Sequence, residues 1–289
     1  MSEPIRFEAP TPLGYFASLV ADDAGFALFE AAVSIAQDEY PQLDPLAVMA
    51  EVDALAERVR RRLPADASAL QKLRMLNRFF FQELGFAGNV NDYYDPRNSY
   101  LNDVLARRRG IPISLAVLYI EIATQVGLMA RGVSFPGHFL VKLRMPRGEV
   151  VIDPFNGRSL SREELDERLM PYRRQHGLVG DDDVPLGLFL QAAPPRDVVA
   201  RMLRNLKEIH RAAEDWPRLL AVQQRLVVLL PQAWEERRDR ALVLAEVGRY
   251  AEAADDLEVY LARCPRADDA RALRARLLEL RRQGQPRLH

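Results

Sequence analysis

Between Arg109 and Gly157 the apolar residues of this chain change period, and that change limits the folds open to it. Ile113, Val117, Ile120 and Ala123 or Thr124 recur at helical spacing, with Pro112 at the start and Gly127 where a C-terminal cap belongs. The spacing predicts a helix over residues 113–126. From Ala130 the period becomes two. Residues 130–135, 139–143 and 149–152 are rich in Val, Leu and Phe and are broken by Pro136-Gly137 and by Pro146-Arg147-Gly148, which predicts an antiparallel meander with tight turns. His138 opens the second strand and Asp153 closes the third. Neighbouring antiparallel strands bring two such residues side by side, and a carboxylate bonded to one imidazole nitrogen fixes the tautomer of the other. A nucleophile at the N-terminus of the packed helix would complete a Cys-His-Asp constellation, because helix dipole and imidazolium both stabilise a thiolate.

Around this segment the rest of the chain reads as helix. Residues 1–14, with Pro4, Pro10 and Pro12, read as a loose arm. Residues 21–37 carry Phe26, Phe29, Ala32, Val33 and Ala36 on one face; Asp44-Pro45 then supplies a cap and a first-turn proline for a helix to Arg62. After a polar break at residues 65–68, residues 69–84 turn Leu73, Leu76, Phe80 and Leu84 inward. Residues 86–105 are dense in Asn, Asp and Tyr. Asp95-Pro96 followed by Ser99 predicts a turn into a short helix ending at Arg107. Asx residues routinely cap their own backbone, so a self-bonded loop is one reading of this stretch. The other makes Tyr94, Asn98, Tyr100 and Asn102, with Asn156, the polar binding rim of a cleft beside His138.

The order of helix, His strand and Asp strand resembles the transglutaminase-like, papain-like core over residues 76–169. On that family's Gly-x-Cys-x-x-x-Ala-x-Leu pattern Gly110, Ala116 and Leu118 fall in register, Gly127 and Arg131 fall on the usual Gly and Arg, and Pro112 occupies the nucleophile slot. The one cysteine is Cys264, in the tail. Ser114 is the nearest hydroxyl, but two residues along a helix turn a side chain by about 200°. The runs at residues 92–102, 109–114, 135–141 and 153–157 are similar to those of the SirB-type bacterial proteins. That resemblance implies bacterial regulation of some kind; the candidate catalytic set is His138 and Asp153, with Ser114 as the nearest hydroxyl.

After Asp153 a turn at residues 154–157 leads to Ser161 and Glu164, a capping-box pattern for a helix through Leu169. Periodicity then fails across residues 175–195, where Gly177, Gly180, Asp181, Asp182, Asp183 and Pro194-Pro195 mark a linker. Beyond it the chain repeats itself. A shift of 34 residues lays Trp216 on Tyr250, Leu220 on Ala254 and Pro231 on Pro265, the period of tetratricopeptide helix pairs. The first copy is degenerate, and a final helix over residues 268–282 caps the array. The expected fold is therefore α+β: a helical N-terminal layer (1–68), a helix-plus-antiparallel-sheet core (69–175), a linker (176–195) and all-α repeats (196–289).

Composition serves mainly to exclude. A net charge of −1 gives no general pull toward nucleic acid or an anionic membrane. Of the 40 basic residues only Lys72, Lys142 and Lys207 are lysine. No apolar run approaches the roughly 18 residues of a membrane span, the first residues are acidic rather than apolar, and a single cysteine fits a reducing compartment, so a cytoplasmic protein is expected. His176, His210 and His289 lack ligand spacing, and no glycine-rich loop follows a strand, so neither metal nor cofactor is expected. Two function classes remain. One is a protein- or peptide-binding module whose cleft has lost acyl transfer. The other is an amide hydrolase or acyltransferase using His138 and Asp153 with water or Ser114.

Overall fold

The computed structural model describes residues 10–178 and 184–284. The first nine residues of the expected arm, the stretch of the linker from Gly180 to Asp183, and His289 lie outside the described residues. Two compact units divide the chain. One comprises Ala27–Ala36 and Gln42–Met202; the other takes the described residues of Met1–Phe26, Gln37–Pro41 and Leu203–His289.

In the first unit the helix Pro112–Gln125 is enclosed along almost its whole length, from Pro112 to Ala123. Proline costs nothing at a first helical position, whose N–H has no partner within the helix. The helix ends in a Schellman turn: Gly127, at φ +78°, donates its N–H to the Thr124 carbonyl, and Leu128 donates to the Ala123 carbonyl.

Six strands occur among the described residues. β1 (Ala87–Gly88) pairs in parallel with β2 (Arg109–Gly110). β3 (Ala130–Val133), β4 (Leu140–Met145), β5 (Gly148–Asp153) and β6 (Arg158–Leu160) form the expected antiparallel meander in the order β3-β4-β5-β6. Register pairs Val133 with Leu140, Val141 with Ile152 and Asp153 with Arg158. β6 was not anticipated, because three residues are too few to establish a period of two. Between β3 and β4, Phe135-Pro136-Gly137-His138 closes with the His138 N–H on the Phe135 carbonyl at 3.0 Å. Gly137 sits at φ +68°, which makes this a type II turn with proline and glycine where that turn requires them.

Ser161 and Glu164 form the expected capping box, with each side chain accepting from the other's N–H. The helix it starts runs Arg162–Gln175, past Pro171, rather than stopping at Leu169. The helix Pro45–Arg60 starts on Asp44, and Ala69–Asn77 on a Ser68–Gln71 capping box. Ala69–Asn77 continues as a wider, π-type turn over Arg78–Glu83. The continuous helix expected over residues 21–37 is interrupted. Asp22 accepts the Ala24 N–H in an Asx turn, and helix begins again at Leu28.

The second unit is helical among its described residues. Thr11 caps a helix Pro12–Leu19, so Pro12 starts a helix where the sequence reads as a loose arm. The repeat follows in Trp216–Leu229, Trp234–Glu246, Tyr250–Arg263 and Ala270–Gln283, and Trp216 and Tyr250 are both first helical residues. Ala241, Ala245, Ala253 and Ala254 keep these helices close around Leu244, Leu257 and Tyr260.

The degenerate copy shows why it is degenerate. Gly248 (φ +78°) forms a Schellman turn with Arg249 donating to Leu244, and Glu214 (φ +53°) occupies the same place with Asp215 donating to His210. A left-handed conformation costs a residue with a Cβ about 1 kcal/mol. Glu214→Gly is therefore expected to raise stability by roughly 0.5–1 kcal/mol in chemical denaturation, whereas Gly248→Ala lowers it by a similar amount.

Candidate functional site

His138 is the last residue of the type II turn, two residues ahead of β4 rather than opening it as expected, and β5 carries Asp153 to meet it. His138 Nε2 lies 2.8 Å from Asp153 Oδ1. The same oxygen accepts the Phe155 N–H at 3.0 Å, while Oδ2 accepts from Arg168 Nη1 at 2.9 Å. The Asp153 side chain is 4% exposed and that of His138 is 25% exposed. Burial pushes the Asp153 carboxyl up, yet the bonds from His138, Arg168 and Phe155 outweigh it and hold the group below the usual carboxylate range. Ionised Asp153 can only accept, so Nε2 carries the proton and Nδ1 is the basic nitrogen.

Because Asp153 titrates lower when folded than when unfolded, where carboxylates of its type sit near 3.9, its contribution is complete above about pH 4. That contribution is lost as pH falls through the folded value. Asp153→Asn is expected to be less stable at pH 7, with a shallower loss of stability below pH 4 than the native chain shows; denaturation series at pH 7, 4 and 3 measure it.

Pro112 is buried at the first position of the central helix and offers no side-chain nucleophile. Ser114 is fully buried. Its Oγ donates toward the Asn98 carbonyl (2.6 Å) and the Ile111 carbonyl (3.0 Å) and accepts the Ile111 N–H (3.2 Å). The hydroxyl fastens the helix start to the preceding loop, and a Cβ on Gly110 would stand 2.7 Å from it.

The five rim residues divide. Asn98 is fully buried, with Nδ2 donating to the Asp92 and Tyr93 carbonyls and Oδ1 accepting from Asn89, so it ties the loop to itself. Tyr100 is buried and Asn102 half-buried, with the Asn102 Oδ1 enclosed. Tyr94 is 76% exposed. Asn156 is exposed and accepts the Arg158 N–H in a turn.

The sequence did not point to Arg168, Tyr93 or Arg201. Arg168 stands beside Leu165 and Leu169, the buried face of its helix, and that adjacency is the one signal for it. The Tyr93 ring lies 6.3 Å from that of Phe155, and the Arg201 guanidinium lies 5.5 Å over the ring of Phe139. Among the described residues no group of three or more His, Cys, Asp or Glu side chains could hold a metal ion, and no helix is long and apolar enough to cross a membrane.

Residues 47–204 match the model of the transglutaminase-like superfamily, and residues 206–278 match a tetratricopeptide repeat. A UPF0162 protein of Xylella fastidiosa strain Temecula1 is 41% identical over 260 residues, 90% of this chain and 92% of its own. A UPF0162 protein of Pseudomonas aeruginosa is 34% identical over 215 residues, 74% of this chain and 76% of its own. The UPF0162 protein YchA of Escherichia coli K12 is 27% identical over 245 residues, covering 83% and 84%. No solved structure matches. With a superfamily model over more than half its length and such relatives over most of it, the chain belongs to the transglutaminase-like superfamily and, within it, to the UPF0162 proteins.

Proposed function

We propose that this chain is a protein- or peptide-binding module whose transglutaminase-like cleft no longer performs acyl transfer. What supports this reading is Pro112 where the family's pattern carries its cysteine, together with the His138–Asp153 pair: a histidine held by a carboxylate has no thiol at that position to activate. Ser114 lends the hydrolase alternative no support, because its hydroxyl is buried and committed to backbone groups. The repeat match favours protein interaction, and the repeat helices together with Pro195–Ala212 frame an open groove of about 380 Å³ lined by Trp216, Leu219, Leu242 and Val243 beside Lys207 and Arg238. Leu242 is 40% exposed on its rim. The SirB-type assignment and a regulatory role in a bacterium belong to the same reading and rest on the long loop and turn runs.

The test has two arms. Peptides selected by display on the intact chain are expected to lose binding to Leu242→Glu while its melting temperature is unchanged. A quenched peptide library is expected to show no turnover above buffer. Turnover that His138→Ala abolishes would overturn the proposal.

A further inference from the structure

The turn that follows Asp153 folds back on that residue. The Asn156 and Gly157 N–H groups both reach the Asp153 carbonyl, at 3.4 and 2.8 Å, and the Phe155 N–H reaches the carboxylate oxygen that His138 shares, at 3.0 Å. The place of the carboxylate therefore depends on where this turn sits, and two aromatic rings pin it. The Phe155 ring lies on Gly88, and the Phe81 ring lies on Gly157, where a Cβ would stand 2.6 Å from Phe81 Cγ. Gly157 has φ +75°, so the backbone and the ring both call for glycine there.

Phe81 belongs to the π-type turn Arg78–Glu83, where it differs from its two neighbours. Phe79 and Phe80 are fully buried, Phe79 under the guanidiniums of Arg58 and Arg62 and Phe80 stacked on Phe86. Phe81 is only half-buried. Its ring stands edge-on to Phe80 at 5.0 Å and stacks on Tyr119 at 5.7 Å. Tyr119 is fully buried on the central helix, and its hydroxyl donates to Asn77 Oδ1 at 2.6 Å, in the residue just before the π-type turn. A buried hydroxyl needs such a partner, so Tyr119 is locked in place and Phe81 with it. Asn77, Tyr119, Phe81 and Gly157 thus make one line of contacts from the central helix to the Asp153 turn.

We infer that Phe81 is a positioning residue for the His138–Asp153 pair. By packing on Gly157 it holds the turn that brings the Phe155 N–H to the carboxylate, and so sets the direction in which His138 presents Nδ1 to the cleft. This goes beyond the reading of the cleft as a binding site, since a ligand and a substrate would meet the same imidazole.

NMR of the intact chain with no peptide added tests it, following the His138 Nε2–H at pH 7 and on acidification. In Phe81→Ala that resonance is expected to shift and its exchange with solvent to quicken about tenfold, the loosening of one net hydrogen bond. The signal should also be lost at a higher pH than in the native chain, because the bonds that the turn aligns are what hold the Asp153 carboxyl below the usual carboxylate range. Phe81→Tyr keeps the ring and should keep all three readings native. Phe79→Leu, in the same π-type turn but under Arg58 and Arg62, is expected to lower the melting temperature while leaving the Nε2–H unmoved. Phe81→Leu, a smaller loss, carries the test if Phe81→Ala fails to fold. An unmoved Nε2–H in the Phe81 variants would make that ring ordinary packing and overturn the inference. An equal shift in Phe79→Leu would overturn it too, by making the shift a general consequence of lost stability.

Discussion

Replacing Lys207 by methionine is expected to lower stability by about 3–5 kcal/mol at neutral pH. Lys207 Nζ stands 2.7 Å from Glu236 Oε2 and 2.6 Å from Asp239 Oδ2, with its side chain 8% exposed. Burial pushes both carboxyls up, and the bonds from Lys207 more than offset it, with Arg204 aiding Glu236 and Arg238 aiding Asp239. Methionine fills the space but leaves two carboxylates facing an apolar stem. Both acids then titrate higher in the variant, so its deficit narrows as pH falls into the carboxylate range. Urea denaturation at pH 7 and pH 4.5 reads both effects. A deficit under about 1 kcal/mol would mean that Arg204 and Arg238 carry the pair alone.

Gly88→Ala is expected to cost about 1–3 kcal/mol and to disturb the His138 pair as well. A Cβ there would come within 2.1 Å of the Phe155 ring. The backbone cannot step aside cheaply, because the Gly88 N–H is bonded to the Phe155 carbonyl at 2.8 Å and the segment pairs with Arg109–Gly110. The ring must move, and Phe155 supplies an N–H to Asp153. The His138 ring resonances should shift in this variant. Gly25→Ala, where a Cβ meets nothing within 4 Å, is the control and should change neither quantity. Unaltered His138 resonances in a destabilised Gly88→Ala would separate the packing of Phe155 from the dyad.

What the sequence made legible was whatever one period of apolar residues decides. The central helix and three strands of the meander follow from burial alone, and the pairing of His138 with Asp153 follows from adjacent antiparallel strands. Contacts between distant segments left no such mark. Ser114 reads as a spare hydroxyl until the Asn98 carbonyl, sixteen residues away, is seen to hold it. Arg168 comes to Asp153 from the next helix, and Arg201 comes to Phe139 from a helix far along the chain. Prolines misled in the other direction. Pro12 reads as part of a loose arm but starts a helix, and the helix expected to end at Leu169 runs on past Pro171.

The spacing of the dyad bears on how the cleft comes into being. His138 and Asp153 are separated by fifteen residues, and Asp153 and Arg168 by fifteen more, so each contact closes a short loop. Loop-closure entropy grows with the logarithm of length, and local contacts speed folding. The donors and acceptors of the cleft can therefore assemble as the meander zips up. The contact of Arg201 with Phe139 closes a much longer loop, so in a refolding experiment the His138 environment should become native before that of Arg201.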